Sequence, residues 1–399
     1  MKKSKMFFSA FLIGLISILN PDSASAVEST DFSVEIHAPV LYKKLLKSNT
    51  LLMASGPFNQ PTAKTYVFSA GLNPVSVLEI DPYTLVVDAL PNRRLISINF
   101  QSVIKISKTD STGLEIVSSF VPRVFDFPKD VHELRYENES KTIYLLNYRL
   151  RGCNDGIYTL GICNWLELSP IDTFTDCEIL NVDLKGNVIK KWSLADVVDE
   201  VEFRYAVTNT ARLGSGSNDA FHCNSIDIKQ NKILVSARHT NSLYEIDALT
   251  GRVNWKFGGA FWPGKSLEAK NSNFIFREIS GQHDAQYLGR NQVLFFDNAT
   301  NMNASSRGVL FSIMGKRYTN PKTFVNPDGL ESGCTGSFRA IDGGRYFVAG
   351  WGCSESIATV FGPSGMAIAS LRSGLERGNF GPGVSAPFSY RVTGYPTLR

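Results

Sequence analysis

Four stretches of the chain repeat one layout, in which two short apolar runs are followed by a second pair of runs joined at a glycine turn. The runs are rich in β-branched and aromatic residues, and clusters of Gly, Asn, Asp and Ser separate them. Such a pattern predicts strands and turns. The shared turn glycines are Gly186, Gly251, Gly315 and Gly365. Each unit therefore predicts one small antiparallel sheet, and the repeat requires that neighbouring sheets pack against each other.

A repeat length of roughly 40 to 50 residues is typical of propeller blades. Two weaker units precede the four, so we predict an all-β fold: a six-bladed β-propeller with its active site in the central channel. Radial repetition suits this content because it leaves only short, protected sheet edges. We expect one propeller domain over residues 27–399, with blade-like repeats near 45–90, 92–128, 130–195, 220–260, 281–322 and 335–375.

The N-terminus predicts a secretory signal peptide over residues 1–26. Three lysines precede an apolar run from Met6 to about Leu19, and Ala24-Ser25-Ala26 offers a cleavage site. The run is too short to span a membrane, and no cysteine near the cleavage site could carry a lipid. We therefore predict an exported protein, periplasmic or secreted, with no stable membrane anchor.

Export would place the six cysteines in an oxidising compartment, where disulfides are expected. Cys153 and Cys163 lie in an insertion at about residues 149–174 and are close enough to staple a surface loop. Cys334 and Cys353 stand at the open ends of one predicted hairpin, which favours a cross-strand disulfide. Cys177 and Cys223 remain, and the sequence leaves their pairing open.

The bulk composition is that of a soluble globular protein, with 43% hydrophobic and 20% charged residues. The formal charge of +4 falls to about +2 when the three lysines and Asp22 of the leader are removed. Near-neutrality without a basic run predicts no nucleic-acid partner.

Three histidines open corresponding runs of the repeat, and a glycine takes that place in the last unit. These residues are His132, His222, His283 and Gly336. If this position begins the innermost strand of each blade, the side chains form a ring at the channel mouth. Further along, the same units present a second set that we expect to form an adjacent ring. Its members are Tyr148, Arg238, Asn298 and Trp351.

Imidazoles, a guanidinium and an amide around one funnel predict an anion pocket. Arg238 offers a planar fork that matches tetrahedral oxyanions, and Asn224 lies on the same side of its strand as His222. Asn298 is expected to contact substrate. No carboxylate is expected in the ring, which disfavours magnesium or calcium. A three-histidine zinc site is conceivable, but Arg238 would repel the cation.

A single histidine at a strand start is usually a structural residue. Three in the same phase, with an arginine in one of the same units, favour a functional site instead. His37 lies outside the repeat, and His239 is predicted on the far side of its strand from Arg238. Both are interpreted as structural.

Two segments resemble the arylsulfotransferase family, which comprises the nucleotide-independent aryl-sulfate sulfotransferases of bacteria and their relatives. The segments are FHCNSIDIKQNKILVSARHTNSLYEIDALTGRVNWKFGG and QHDAQYLGRNQVLFFDN. The resemblance covers about residues 220 to 310. It continues in order from near His132 to the C-terminus, where PFSYRV is also similar. It implies a six-bladed propeller without a cofactor that moves a sulfuryl group from a phenolic sulfate ester to a phenolic acceptor.

The family motifs also imply roles for residues. The H-D motif makes His283 the sulfated nucleophile, and the H-x-N-S motif places His222 and Asn224 at the sulfuryl oxygens. The S-x-R-H motif adds Arg238. His132 is similar in position to a further family histidine, and Thr335 resembles a family threonine near the donor, expected to bind substrate.

Two alternatives remain at this stage. EIDALTGRVNWKF also resembles the blade repeat of quinone-dependent dehydrogenases, but that repeat needs many tryptophan-bearing copies and the chain has five tryptophans. A secreted propeller could instead bind an anionic or aryl ligand without turnover. The sequence leaves the donor, the acceptor and the oligomeric state open.

Overall fold

The computed structural model describes a chain made mainly of short strands. The described residues are 31–56, 64–79, 84–90, 94–99, 102–110, 113–123, 132–156, 159–166, 168–169, 172–199, 202, 218–270, 279–300, 302–319, 321–374, 379–381, 384–385 and 389–396. The predicted signal peptide, 1–26, lies outside them. Two helices occur in the described ranges, α1 (Pro39–Leu45) and α2 (Thr159–Trp165), beside short 3₁₀ turns.

The chain enters through strand β1 (Phe32–Ile36) and then builds its sheets in order. Blade 1 contains β2 (Thr50–Ser55), β3 (Lys64–Ser69) and β4 (Pro74–Glu79). Blade 2 contains β5 (Thr84–Leu90), β6 (Arg94–Asn99), β7 (Ile104–Asp110) and β8 (Gly113–Phe120). Blade 3 contains β9 (Leu134–Glu137), β10 (Thr142–Gly152), β11 (Thr173–Val182) and β12 (Val188–Ser193), with the short β13 (Asn218–Asp219) paired in parallel with β11.

The remaining blades follow the same plan. Blade 4 contains β14 (Cys223–Lys229), β15 (Lys232–Ala237), β16 (Ser242–Asp247) and β17 (Val253–Gly258). Blade 5 is built on β19 (His283–Leu288), β20 (Gln292–Asp297), β21 (Arg307–Met314) and β23 (Lys322–Val325), with the short β18 (Glu268–Ala269) and β22 (Arg317–Tyr318) beside them. Blade 6 contains β24 (Ser337–Ile341), β25 (Tyr346–Gly350), β26 (Ser356–Phe361) and β27 (Ala367–Ser373). A short hairpin, β28 (Asn379–Gly381) and β29 (Val384–Ser385), precedes the last strand, β30 (Val392–Pro396).

These six sheets form a six-bladed β-propeller. Within a blade the strands run as an antiparallel meander, for example β14-β15-β16-β17. The inner strands of adjacent blades contact each other, as β14 contacts β19 and β24 contacts β30. This ring of inner strands surrounds the channel, so the start of each inner strand lies at one channel mouth.

Both ends of the chain close the ring between blades 6 and 1. β30 pairs with β2 from Val392 opposite Ala54 onward and becomes the innermost strand of blade 1. β1 pairs with β27 and becomes the outermost strand of blade 6. The repeat boundaries assign residues 84–90 to the first unit, but the pairing of β5 with β6 puts them in blade 2. Sequence spacing alone does not reveal which distant strand completes a sheet.

Apolar side chains fill the spaces between neighbouring blades. Between blades 4 and 5, for example, the rings of Phe257 and Phe311 stack with centroids 4.4 Å apart, and Phe295 packs beside them. Full burial of each such side chain stabilises the fold by about 1.5–3 kcal/mol. The inter-blade packing keeps the blades in fixed positions and thereby fixes the residues at the channel mouth.

All six cysteines are paired. The predicted disulfides Cys153–Cys163 and Cys334–Cys353 are both present. The pair that the sequence left open, Cys177–Cys223, links β11 of blade 3 to β14 of blade 4. No helix in the described part of the chain is both long and apolar enough to cross a bilayer.

Candidate active site at the channel mouth

The structure brings the three in-phase histidines together at one mouth of the channel. His283 is the first residue of β19, His222 directly precedes β14, and His132 precedes β9 by two residues. The ring centroids of His132 and His222 are 5.2 Å apart. Tyr390, just before β30, lies with its ring 5.5 Å from that of His132 and 6.4 Å from that of His283.

His283 is held in one orientation by two acceptors. Its Nδ1 lies 2.7 Å from Oδ1 of Asn298 and 2.9 Å from the carbonyl oxygen of Gly281. The amide of Asn298 cannot be turned round, because its Nδ2 donates to the carbonyl oxygens of Ser332 and Thr335, each at 2.8 Å. Nδ1 of His283 therefore carries the hydrogen, and Nε2 keeps its lone pair in the neutral ring.

The surroundings of His283 favour the neutral ring. The side chain is buried, and burial together with the charge of Arg238 lowers the pKa of His283 well below its usual 6.5. The hydrogen bond to Asn298 opposes this shift without cancelling it. At neutral pH the imidazole is thus unprotonated at Nε2, which is the form that can act as a nucleophile.

Two residues of the expected second ring have other roles. All the polar atoms of Asn298 are occupied by His283, Ser332 and Thr335, so it supports His283 and has no group directed at a substrate. Trp351 is fully buried between blades 5 and 6, where its Nε1 donates to Thr359. Its ring packs against Phe296 of blade 5 and Phe361 of blade 6.

His222 is supported by a carboxylate, although the sequence suggested none in the ring. Asp219, in β13, accepts a hydrogen bond from the backbone N–H of His222 at 2.8 Å and lies 2.6 Å from its Nδ1. His222 has a left-handed φ of 48°, which is sparsely populated for such a residue and is common at functional sites. Burial lowers the pKa of His222, and Asp219 opposes that effect.

His239, which the sequence analysis interprets as structural, lies beside this pair. It is buried, its ring lies 4.8 Å from that of His222, and its Nδ1 donates to the carbonyl oxygen of Asp219. Burial lowers the pKa of His239 to about 4. Asp219, His222 and His239 are close enough to hold a metal ion. Both carboxylate oxygens already bind His222, however, and the nearby charge of Arg238 disfavours a cation.

The predicted anion-binding groups lie beside the histidines. The backbone N–H of Arg238 donates to the carbonyl oxygen of His222. Nη2 of Arg238 lies 3.4 Å from the carbonyl oxygen of Gly333. Asn224 is buried and donates from Nδ2 to Gln282 at 2.7 Å. Among the described residues, neither Oδ1 of Asn224 nor Oγ1 of Thr335 has a hydrogen-bond partner.

Aromatic rings complete the mouth. Tyr148, expected in the second ring, lies 5.8 Å from the ring of His132 and 6.2 Å from that of His222. Its hydroxyl donates to the carbonyl oxygen of Cys223. The repeat register missed Asp219 and Tyr390, because Asp219 lies in the short β13 and Tyr390 precedes β30, and both strands are outside the repeated phase. The SYRV segment near the C-terminus was the one available signal for Tyr390.

A family model described as "Arylsulfotransferase (ASST)" matches residues 163–353. The matched region includes His222, Asn224, Arg238, His283 and Thr335. No protein in the curated comparison set matches the chain.

Solved structures with a similar course of the backbone include propeller domains of diverse origin. A protein of unknown function from Bacteroides caccae shares 10% identity, with 86% of this chain and 98% of that chain covered and a TM-score of 0.49. The WD40 domain of Toxoplasma gondii coronin shares 7% identity over 89% of this chain and 80% of that chain, with a TM-score of 0.43. The fold assignment rests on the six sheets themselves.

Proposed function

Taking as premise that the chain is arylsulfotransferase-like over residues 163–353, we propose that it transfers a sulfuryl group from an aryl sulfate to a phenolic acceptor through a sulfohistidine at His283. The observation that carries this proposal is the state of that imidazole. Its Nδ1–H is bound to Asn298 and Gly281, its pKa is lowered, and its Nε2 keeps the lone pair that a nucleophile needs.

In the first half-reaction, Nε2 of His283 attacks the sulfur of the donor ester. An N–S bond forms while the S–O bond to the aryl group breaks, and the electron pair leaves on the phenolate oxygen. A covalent intermediate divides one difficult transfer into two easier ones. Nδ1–H remains bound to Asn298 throughout, so the growing positive charge on the ring is stabilised by an oriented amide oxygen.

The sulfuryl oxygens need donors as the reaction proceeds. Arg238 supplies the cationic fork, and the hydroxyl of Thr335 is buried without a partner in the described structure. Asn224 has one N–H of Nδ2 bound to Gln282 and one remaining for an oxygen of the sulfuryl group. Donors fixed before the substrate arrives are typically the largest single contribution to such catalysis.

The second half-reaction requires removal of a proton from the acceptor phenol. Because Nδ1 of His222 donates to Asp219, its Nε2 can accept that proton, and the carboxylate stabilises the resulting imidazolium. The acceptor oxygen then forms a bond to sulfur while the N–S bond of His283 breaks. This step releases the new aryl sulfate and leaves the proton on His222. In the next turnover His222 gives that proton to the phenolate that departs from the donor, which leaves as a phenol.

The aromatic rings at the mouth suit aryl substrates on both sides of the transfer. Tyr148, Tyr390 and His132 stand around the histidine pair and offer ring faces and edges to an aryl group. We assign His132 to this wall and to the electrostatic support of the leaving oxygen. The three disulfides are consistent with an oxidising compartment, and we propose the bacterial periplasm or the medium as the location.

The proposal is tested with 4-nitrophenyl sulfate as donor and phenol as acceptor. We expect release of 4-nitrophenolate that depends on the acceptor, with parallel double-reciprocal plots that indicate a ping-pong mechanism. Saturable binding of the aryl sulfate without turnover would instead identify a binding propeller. Intersecting plots would exclude the covalent intermediate.

A further inference from the structure

Arg391 makes a buried bridge below the channel mouth that the transfer chemistry does not use. It stands one residue before β30, and 5% of the residue is exposed. Its Nη1 lies 2.6 Å from Oε1 of Glu133, and its Nη2 donates to the carbonyl oxygen of Asn224 at 2.6 Å. Its Nε lies 3.4 Å from Oδ1 of Asp284.

These three partners belong to three different blades, and each lies next to a residue of the site. Glu133 follows His132 in blade 3, and Asp284 follows His283 in blade 5. Asn224 lies in β14 of blade 4, two residues after His222. One guanidinium therefore joins the inner strands that carry all three histidines.

The guanidinium groups around this bridge face buried carboxylates, which separates the bridge from an anion site. Besides Arg391, the same part of the channel contains Arg135 and Arg339. Arg339 binds both oxygens of Asp284, and Arg135 lies 3.6 Å from Glu133. Guanidinium groups whose charges already face buried carboxylates hold neighbouring strands together and leave little attraction for another anion.

Tyr390, the residue before Arg391, contacts the same carbonyl oxygen and also reaches the histidines. The hydroxyl of Tyr390 donates to the same carbonyl oxygen of Asn224, at 3.4 Å, while its ring faces His132 and His283. The closing strand β30 thus delivers two consecutive residues to the centre of the site. Closure of the ring and assembly of the site depend on the same few residues.

We infer that Arg391 is a positioning residue whose two-point bridge between Glu133 and Asn224 sets the relative placement of the histidine-bearing strands. This inference rests on the function proposed above. A planar fork can span a carboxylate and a carbonyl oxygen at once, whereas a lysine ammonium is a single point charge. The bridge therefore needs the shape of arginine as well as its charge.

The test compares Arg391→Gln, Arg391→Lys and the control Arg151→Gln in the full chain. Arg151 is also 5% exposed and paired with a buried carboxylate, Asp176, but it lies outside the channel. Stopped-flow measurement of the first turnover of 4-nitrophenyl sulfate gives the rate of His283 sulfation. Histidine ring signals in NMR spectra provide a readout that is independent of activity.

We expect Arg391→Gln to slow the first turnover roughly 10²-fold, because small misplacements of reacting groups have effects of this size. Arg391→Lys should keep the buried positive charge and still be about 10-fold slower, since charge alone does not rebuild the fork. Both should shift the ring signals of His132, His222 and His283. Arg151→Gln should leave those signals in place and the rate within about 2-fold of the wild type.

Wild-type rate and spectrum in Arg391→Lys would overturn the inference, even if Arg391→Gln does not fold. Equal losses of rate in Arg391→Gln and Arg151→Gln would also overturn it. Failure of the proposed function is a distinct outcome: the wild-type protein would then not turn over the aryl sulfate, while the NMR comparison would still decide whether Arg391 positions the histidines.

Discussion

Blades 4 and 5 place a histidine at the same position of the repeat and give it different partners. In blade 5, Nδ1 of His283 donates to the neutral amide of Asn298 and to a carbonyl oxygen. In blade 4, Nδ1 of His222 lies against the carboxylate of Asp219. In both rings Nε2 is the nitrogen that remains, so the partner at Nδ1 decides what each ring can do.

A neutral partner leaves His283 with a pKa lowered well below its usual value by burial, as a nucleophile at neutral pH requires. An anionic partner opposes the effect of burial on His222 and stabilises its protonated form, as a proton acceptor requires. The comparison teaches that repeated positions in a propeller are specialised by residues outside the repeat register.

The largest effect is expected at His283, the proposed nucleophile. His283→Asn should reduce acceptor-dependent transfer by roughly 10³-fold or more, because an asparagine side chain cannot form the covalent intermediate. His37→Asn is the matched control: His37 bonds to Ser370 away from the channel, and its loss should leave the steady-state rate unchanged. Substantial activity in His283→Asn would contradict the assignment of His283 as nucleophile and His222 as proton acceptor.

Asp219→Asn makes the support of His222 resemble that of His283. We expect roughly a 10²-fold loss in transfer to phenol, within the usual contribution of general acid–base catalysis. Without the carboxylate, the pKa of His222 should fall further, since Asp219 is the group that raises it. Rapid-quench measurements should locate the loss in the second half-reaction; a loss confined to sulfation of His283 would contradict the assigned roles.

Gly281→Ala perturbs the support of His283. Gly281 has φ of 66°, and an added Cβ would lie 2.5 Å from Oγ1 of Thr300, so the carbonyl that accepts from His283 must move. We expect a roughly 10-fold slower first turnover and a stability loss of about 1–3 kcal/mol, measured by urea unfolding.

Gly315→Ala is the control for that change. Gly315 has φ of 63° in a turn of the same blade, but nothing lies within 4 Å of the added Cβ. It should lose only about 1 kcal/mol of stability and no activity. Equal loss of activity in the two variants would show that the effect is general destabilisation.

The smallest perturbation is a change of pH, followed by NMR of the ring nitrogens. The pKa values of both histidines are lowered, so both rings should be neutral at pH 7 and should take up protons at a lower pH than a free imidazole. His222 should protonate first on acidification, and His283 should show the Nδ1–H form throughout the neutral range. The reverse order would contradict the comparison.

The sequence predicts the six-bladed fold and the place of the three histidines because both follow from repeated, local patterns. The alternation of apolar runs sets each meander, and a shared phase sets one end of the channel. Pairing between distant parts of the chain leaves no such pattern. β30 completes blade 1 from the opposite end of the chain, so the repeat did not predict that Arg391 and Tyr390 lie at the site.

The partners of the histidines were also hidden from the sequence. Asp219 lies in a two-residue strand that pairs in parallel with β11, and this pairing places it beside His222. A strand this short has no periodicity that would predict it. The repeat phase predicted that Asn298 lies at the site. Its support of His283 depends on the carbonyl oxygens of Ser332 and Thr335, which fix the orientation of its amide. A register identifies which residues meet; hydrogen-bond geometry determines what each one does.

The most direct test of the central claim is mass spectrometry of the protein after rapid acid-free quenching with an aryl sulfate and no acceptor. The account predicts one added SO₃ group per chain, mapped to His283, which disappears when phenol is added. An SO₃ group on His222 or His132, or turnover without any protein-bound SO₃, would contradict it.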